Sequence, residues 1–195
     1  EIDLKMRQLF DSVPEDDSGI LEPARTDFNA SWPLVPSYTS PAGWQIFYTP
    51  DEPASVFRGK FAVCADGHPQ AYHPKGSPPG LDLTANAGRP GKWWGVVTDD
   101  NTTAGTPIIQ GAADPAPGFY VSTTALVDPS KPLNSPGRYV HAGDVPYIVL
   151  PLQVYKQFCP APKTLRLGDV GVVYYFRTGR FVYAICGELG PPQLL

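Results

Sequence analysis

Residues 167–191, LGDVGVVYYFRTGRFVYAICGELGP, decide how this chain folds. Val170 to Phe176 and Phe181 to Cys186 are two apolar or aromatic runs joined by Arg177-Thr178-Gly179-Arg180, a short turn with glycine placed for positive φ. This is the pattern of a β-hairpin. Because both runs are apolar at almost every position, both faces of the hairpin are expected to be buried, as for interior strands of a closed barrel. The second run leads into Cys186-Gly187-Glu188-Leu189-Gly190-Pro191, so an ionisable carboxyl leaves the end of a buried strand between two glycines. Apolar walls at such a junction would desolvate Glu188 and raise its pKa toward that of a working general acid. A solvated turn glutamate is the competing reading, since many carboxylates sit at strand ends and few are catalytic.

Outward from the hairpin, strand signals recur at short spacing: Trp44 to Tyr48, Lys60 to Cys64, Trp93 to Thr98, Pro107 to Gln110, Gly118 to Ser122 and Pro146 to Leu150. Each is bounded by Gly, Pro or Asp, the rhythm of an all-β barrel or sandwich. The 24 prolines and 19 glycines among 195 residues fit that rhythm, since long helices cannot absorb prolines at this density. One helix is expected, near the start, where Met6, Leu9, Phe10 and Val13 fall on one stripe. Residues 1–43 thus read as a short helix and an extended wrapping segment, and 44–195 as a single domain.

The net charge of -4 and the lack of any basic run argue against nucleic acid or anionic lipid as partner. No stretch approaches the roughly 20 apolar residues that span a bilayer. A chain opening at Glu1 suits a mature secreted protein or an excised piece of a longer one equally. Cys64, Cys159 and Cys186 allow at most one internal disulfide, and with no C-x-x-C pair they do not suggest zinc or redox chemistry.

Outside the hairpin, Phe61-Ala62-Val63-Cys64-Ala65-Asp66-Gly67-His68 places a carboxylate just after a strand signal. Asp-Gly is foremost a turn signal, in which the aspartate side chain bonds the backbone two residues on; a substrate-facing carboxylate is the sharper alternative. His68 and His73 flank Tyr72, and His141 precedes Asp144, without metal-ligand spacing, so neither a metal nor another cofactor is expected. Trp93 and Trp94 are adjacent, and neighbours on a strand face opposite ways. One ring is therefore expected in the core and the other free for a ligand such as a sugar. No Gly-x-Ser-x-Gly elbow and no phosphate loop occur.

Several blocks resemble glycoside hydrolase family 75, the chitosanases: KFAVCADGHPQAY (60–72), GLDLTANAGRPGKWWG (80–95), DPAPGFYVSTTAL (114–126), residues 139–151, and the hairpin block. The final block is also similar to the end of double-psi β-barrels, where a glycine-aspartate turn precedes one strand and a catalytic carboxylate follows a later one. The resemblance implies an all-β fold with a six-stranded double-psi β-barrel core and long Pro/Gly-rich loops. It further implies inverting hydrolysis of β-1,4 links between glucosamine units of chitosan by a secreted, extracellular monomer.

Glu188 stands where the family places a catalytic aspartate. The extra methylene would move the carboxyl by about an ångström and cost on the order of a hundredfold in rate. The family's second acid, in a Gly-Glu-(Gly/Ala)-Ser motif a few residues later, has no counterpart before Leu195, and the natural chain is expected to continue. Cys64 also stands where bacterial members tend to have aspartate. Glu188 and Asp66 are the candidate catalytic residues, Asp66 and Asp82 would meet the ammonium groups of glucosamine, and Tyr72, Tyr147 and either Trp93 or Trp94 would supply stacking surfaces. Two alternatives share the barrel: an expansin-like, non-catalytic polysaccharide binder, and a peptidoglycan lytic enzyme that needs one carboxylate.

Overall fold

A computed structural model describes residues 35–39, 45–48, 55–57, 64–152, 155, 166–175 and 180–190. The expected N-terminal helix, the Arg177-Thr178-Gly179 part of the hairpin turn, most of the strand expected at Lys60 to Cys64, and Cys159 lie outside them.

The described structure is mainly β. Strands β1 (Val35–Thr39), β2 (Gln45–Tyr48) and β3 (Ser55–Phe57) form an antiparallel sheet in that order. β1 falls inside the segment expected to be extended without regular structure: its Val35 and Thr39 pair with Tyr48 and Gln45, so the wrapping segment contributes a strand. A two-residue pair, β4 (Gly88–Arg89) and β5 (Lys92–Trp93), follows the one-turn helix α1 (Thr84–Ala87), which the sequence pattern did not suggest.

The hairpin forms as expected. β7 (Val170–Tyr175) runs antiparallel to β8 (Arg180–Gly190), in register from Val170↔Ile185 to Tyr175↔Arg180. β6 (Tyr147–Pro151) lies on the other side of β8 and parallel to it, giving the order β6-β8-β7. β8 is longer than the sequence suggested, and Glu188 lies within it, paired with Val149. The β6/β8 register steps from Ile148↔Cys186 to Val149↔Glu188, leaving Gly187 as an extra residue. Such a bulge resets the strand's side-chain alternation and re-aims the next residue along, here Glu188.

Burial of both hairpin faces is not found. Val170 is 71% exposed and Tyr183 53% exposed, so one side of β7/β8 is open among the described residues. Nor do the sheets close into a barrel there.

Between β5 and β6 the expected strands are reduced to isolated bridges, Val96↔Ser122, Thr98↔Pro107, Ile109↔Tyr120 and Val127↔Tyr139. Frequent Pro and Gly interrupt each ladder after one rung. Packing compensates through two small cores: Ala71, Tyr72, Ala87, Trp93 and Val96 in one, Val97, Val121 and Tyr139 in the other. Adjacent Val96 and Val97 feed one each, as alternating extended residues do. Gln110, buried between loops, satisfies its amide completely by donating to Pro69 O and Tyr120 O and accepting from Ala116 N. That network ties the segment around residue 69 to the hairpin of residues 110–120.

Candidate active site

Asp66 enters the site on a tight turn closed by the His68 N–H donating to Ala65 O at 2.9 Å. Gly67 takes φ +73, and a Cβ there would overlap Val140 O, so only glycine fits. Its N–H donates to the buried Ser122 hydroxyl at 2.9 Å, fixing the turn to the second core.

The Asp66 side chain does not bond its own turn, as a simple Asp-Gly turn would have it. Oδ1 accepts from the Tyr72 hydroxyl at 2.5 Å and Oδ2 from the Cys64 thiol at 2.9 Å. Its backbone carbonyl accepts from the Tyr147 hydroxyl at 2.6 Å. Desolvation raises the Asp66 pKa, while the Cys64 and Tyr72 donors oppose the rise by favouring the ionised form. Burial and the neighbouring Asp66 charge push the Cys64 thiol up to about 12, so it stays a protonated donor.

Glu188 comes to the same place from β8. Oε2 accepts from the Ala125 N–H at 2.8 Å and Oε1 from the Leu189 N–H at 2.7 Å. Ala125 is held there because the next N–H, of Leu126, donates to Gly187 O at 2.9 Å, and the Thr124 hydroxyl donates to Leu126 O. Desolvation is the main cause that lifts the Glu188 pKa to about 7; the Asp66 charge adds to it and the two N–H donors oppose it. Desolvation thus raises both carboxyls, and the Asp66 charge acts on Glu188. The two carboxyls differ in their donors: side chains for Asp66, backbone N–H groups for Glu188.

Asp82 lies within electrostatic reach of Asp66. Its Oδ1 accepts from Leu83 N–H and from the Asn86 amide, anchoring the start of α1. Among the described residues, none of Asp66, Asp82 and Glu188 forms an ion pair with lysine or arginine. Trp94, 57% exposed, is linked to Asp82 through Asn86, its indole N–H donating to Asn86 O at 2.8 Å.

Of the rings considered for stacking on a ligand, Tyr72 and Tyr147 are placed differently, and Trp93 is the member of the tryptophan pair that enters the core. Tyr72 is 1% exposed and its hydroxyl is engaged by Asp66, so it supports that carboxylate and has no face for a sugar. Trp93 is buried in the first core against Tyr120, at a centroid distance of 5.9 Å. Tyr147 is half-buried, with its hydroxyl committed to Asp66 O. Only Trp94 of the four presents an open ring.

His68 and His141 lie beside the Asp66 turn, ring centroids 5.1 Å apart. Burial and the neighbouring His141 lower the His68 pKa. Among the described residues no group of three or more His, Cys, Asp or Glu could hold a metal ion, and no helix is long and apolar enough to cross a membrane. Sequence reasoning missed the Ala125 N–H and the Cys64 thiol as partners of the two carboxyls; neither carries a motif. No protein-family model matches the chain, and no curated protein matches it.

Proposed function

We propose that this protein is an endo-acting chitosanase that hydrolyses β-1,4 links between glucosamine units, with Glu188 as general acid and Asp66 as general base. The observation that carries the reading is the meeting of Glu188, from β8, with Asp66, from a separate turn, both desolvated and the Asp66 charge acting on Glu188. In the reaction, protonated Glu188 would deliver its proton to the departing glycosidic oxygen. Ionised Asp66 would take a proton from the water that attacks the anomeric carbon, leaving Glu188 ionised and Asp66 protonated until solvent exchange restores both.

Charge favours a cationic polymer. Asp66 and Asp82, without a cationic side-chain partner among the described residues, attract the ammonium groups of glucosamine, and the exposed Trp94 ring offers a stacking face. We read the parallel β6/β8 pair with its β7 partner as part of a six-stranded double-psi barrel. The protein would act outside the cell, as a monomer.

The test is release of reducing ends from chitosan by the purified protein, with Glu188→Gln and Asp66→Asn beside it. Turnover abolished in both variants supports the reading. Binding of chitosan without turnover would point instead to an expansin-like binder, and anhydro ends from peptidoglycan to a lytic enzyme; either overturns it.

A further inference from the structure

Tyr147 touches both halves of the site. A Cβ on Gly187 would lie 2.8 Å from Tyr147 Cγ and 3.0 Å from its Cδ2, so the ring rests on the backbone just before Glu188. At its far end the hydroxyl donates to Asp66 O at 2.6 Å. A rigid phenol ring therefore spans from the bulge that aims Glu188 to the turn that carries Asp66. We propose that Tyr147 is a positioning residue, a strut that sets the separation of the two carboxyls, and that Gly187 lacks a side chain so that the strut can seat. This inference rests on the chitosanase reading for its catalytic consequence, though not for its geometry.

Three features make the strut more than ordinary packing. Gly187 is the extra residue of the β6/β8 bulge, so the ring bears on the point where the ladder is broken and Glu188 is re-aimed. On the turn side the strut is anchored through its hydroxyl, at the Asp66 carbonyl with the Cys64 thiol beside it, and a lost hydroxyl would leave that end untethered. The titratable groups that act on Tyr147 are Cys64 and Asp66 from the turn segment and Glu188 from β8, so the ring lies within reach of both acids. Removing the tether should let water in beside Glu188 and weaken its desolvation.

The experiment tracks the Glu188 carboxyl by NMR in 13C-glutamate-labelled protein across pH, with turnover of chitosan in parallel. Tyr147→Phe, which keeps the ring and loses the hydroxyl, should lower the Glu188 midpoint by about one unit. Gly187→Ala, which keeps the hydroxyl and displaces the ring, should do the same and stands in if Tyr147→Phe fails to fold. In turnover, kcat should fall about tenfold with KM nearly unchanged, the basic limb of the profile moving down with the midpoint. Tyr139→Phe, which removes a hydroxyl bonded to Leu133 O away from the site, should move neither. An unmoved Glu188 midpoint in the folded variants overturns the strut, as does a rise in KM at constant kcat, which would make Tyr147 a ligand contact. If the wild-type protein cleaves no chitosan, the chitosanase reading fails by itself and the NMR titration still decides the strut.

Discussion

The Tyr72 hydroxyl donates to Asp66 Oδ1 at 2.5 Å from a position almost wholly inside the first core. A buried phenol aimed at a carboxylate favours the charged form, and the Cys64 thiol does the same from the other oxygen. Desolvation raises both acids, but the donors that oppose it are side chains at Asp66 and two backbone N–H groups at Glu188.

Tyr72→Phe is expected to raise the Asp66 pKa further. A hydrogen bond to a charged group contributes about 1.5–3 kcal/mol, equivalent to a rise of about one to two units. The acid limb of the pH profile for chitosan cleavage should move up by that amount while the basic limb stays in place. Steady-state rates between about pH 3 and 8 measure both limbs.

Glu188→Gln should abolish turnover and alter the pH dependence of stability. The folded pKa of about 7 lies above the ordinary 4.5, so the folded state holds this proton more tightly than the unfolded one. That favours the wild-type fold below pH 4.5, and the advantage is lost progressively as pH rises to 7. The loss is on the order of 3 kcal/mol. Glutamine cannot ionise, so the variant should match wild type near about pH 4 and exceed it at about pH 8. Denaturant midpoints at the two pH values check the sign.

Gly67→Ala should destabilise the protein by about 3 kcal/mol or more. Its φ of +73 disfavours alanine, and the new methyl would overlap Val140 O and lie 2.7 Å from Thr124 Cγ2. Chemical denaturation measures the loss.

The two adjacent tryptophans should separate cleanly. Trp93→Ala removes a buried ring from a core cluster and should cost about 3–5 kcal/mol. Trp94→Ala removes an exposed ring and should leave stability within about 0.5 kcal/mol. It should, however, weaken binding of glucosamine oligomers about tenfold, which calorimetry can read beside the melting temperature.

The β7/β8 hairpin was legible because two long apolar runs and a glycine turn specify one local solution, whatever surrounds them. Glu188 was legible as an acid at the end of that hairpin. The Ala125 N–H beside it was not, because a backbone donor leaves no mark in the choice of residue. Asp66 was half legible: Asp-Gly announces a turn, but whether the carboxyl bonds its own backbone depends on Tyr72 and Cys64 reaching it. Tyr72 and Tyr147 read as sugar platforms because an aromatic residue looks alike in sequence whether its ring is open or packed. The strands expected between residues 93 and 122 dissolve into single bridges because local propensity does not count how many rungs the prolines will interrupt.

The bond from Ala125 N–H to Glu188 has an evolutionary corollary. Since the donor belongs to the peptide group, position 125 can drift through most of the amino-acid alphabet and still clasp the acid. Proline alone deletes the clasp outright, so among viable descendants of this chain proline should be the residue missing at 125.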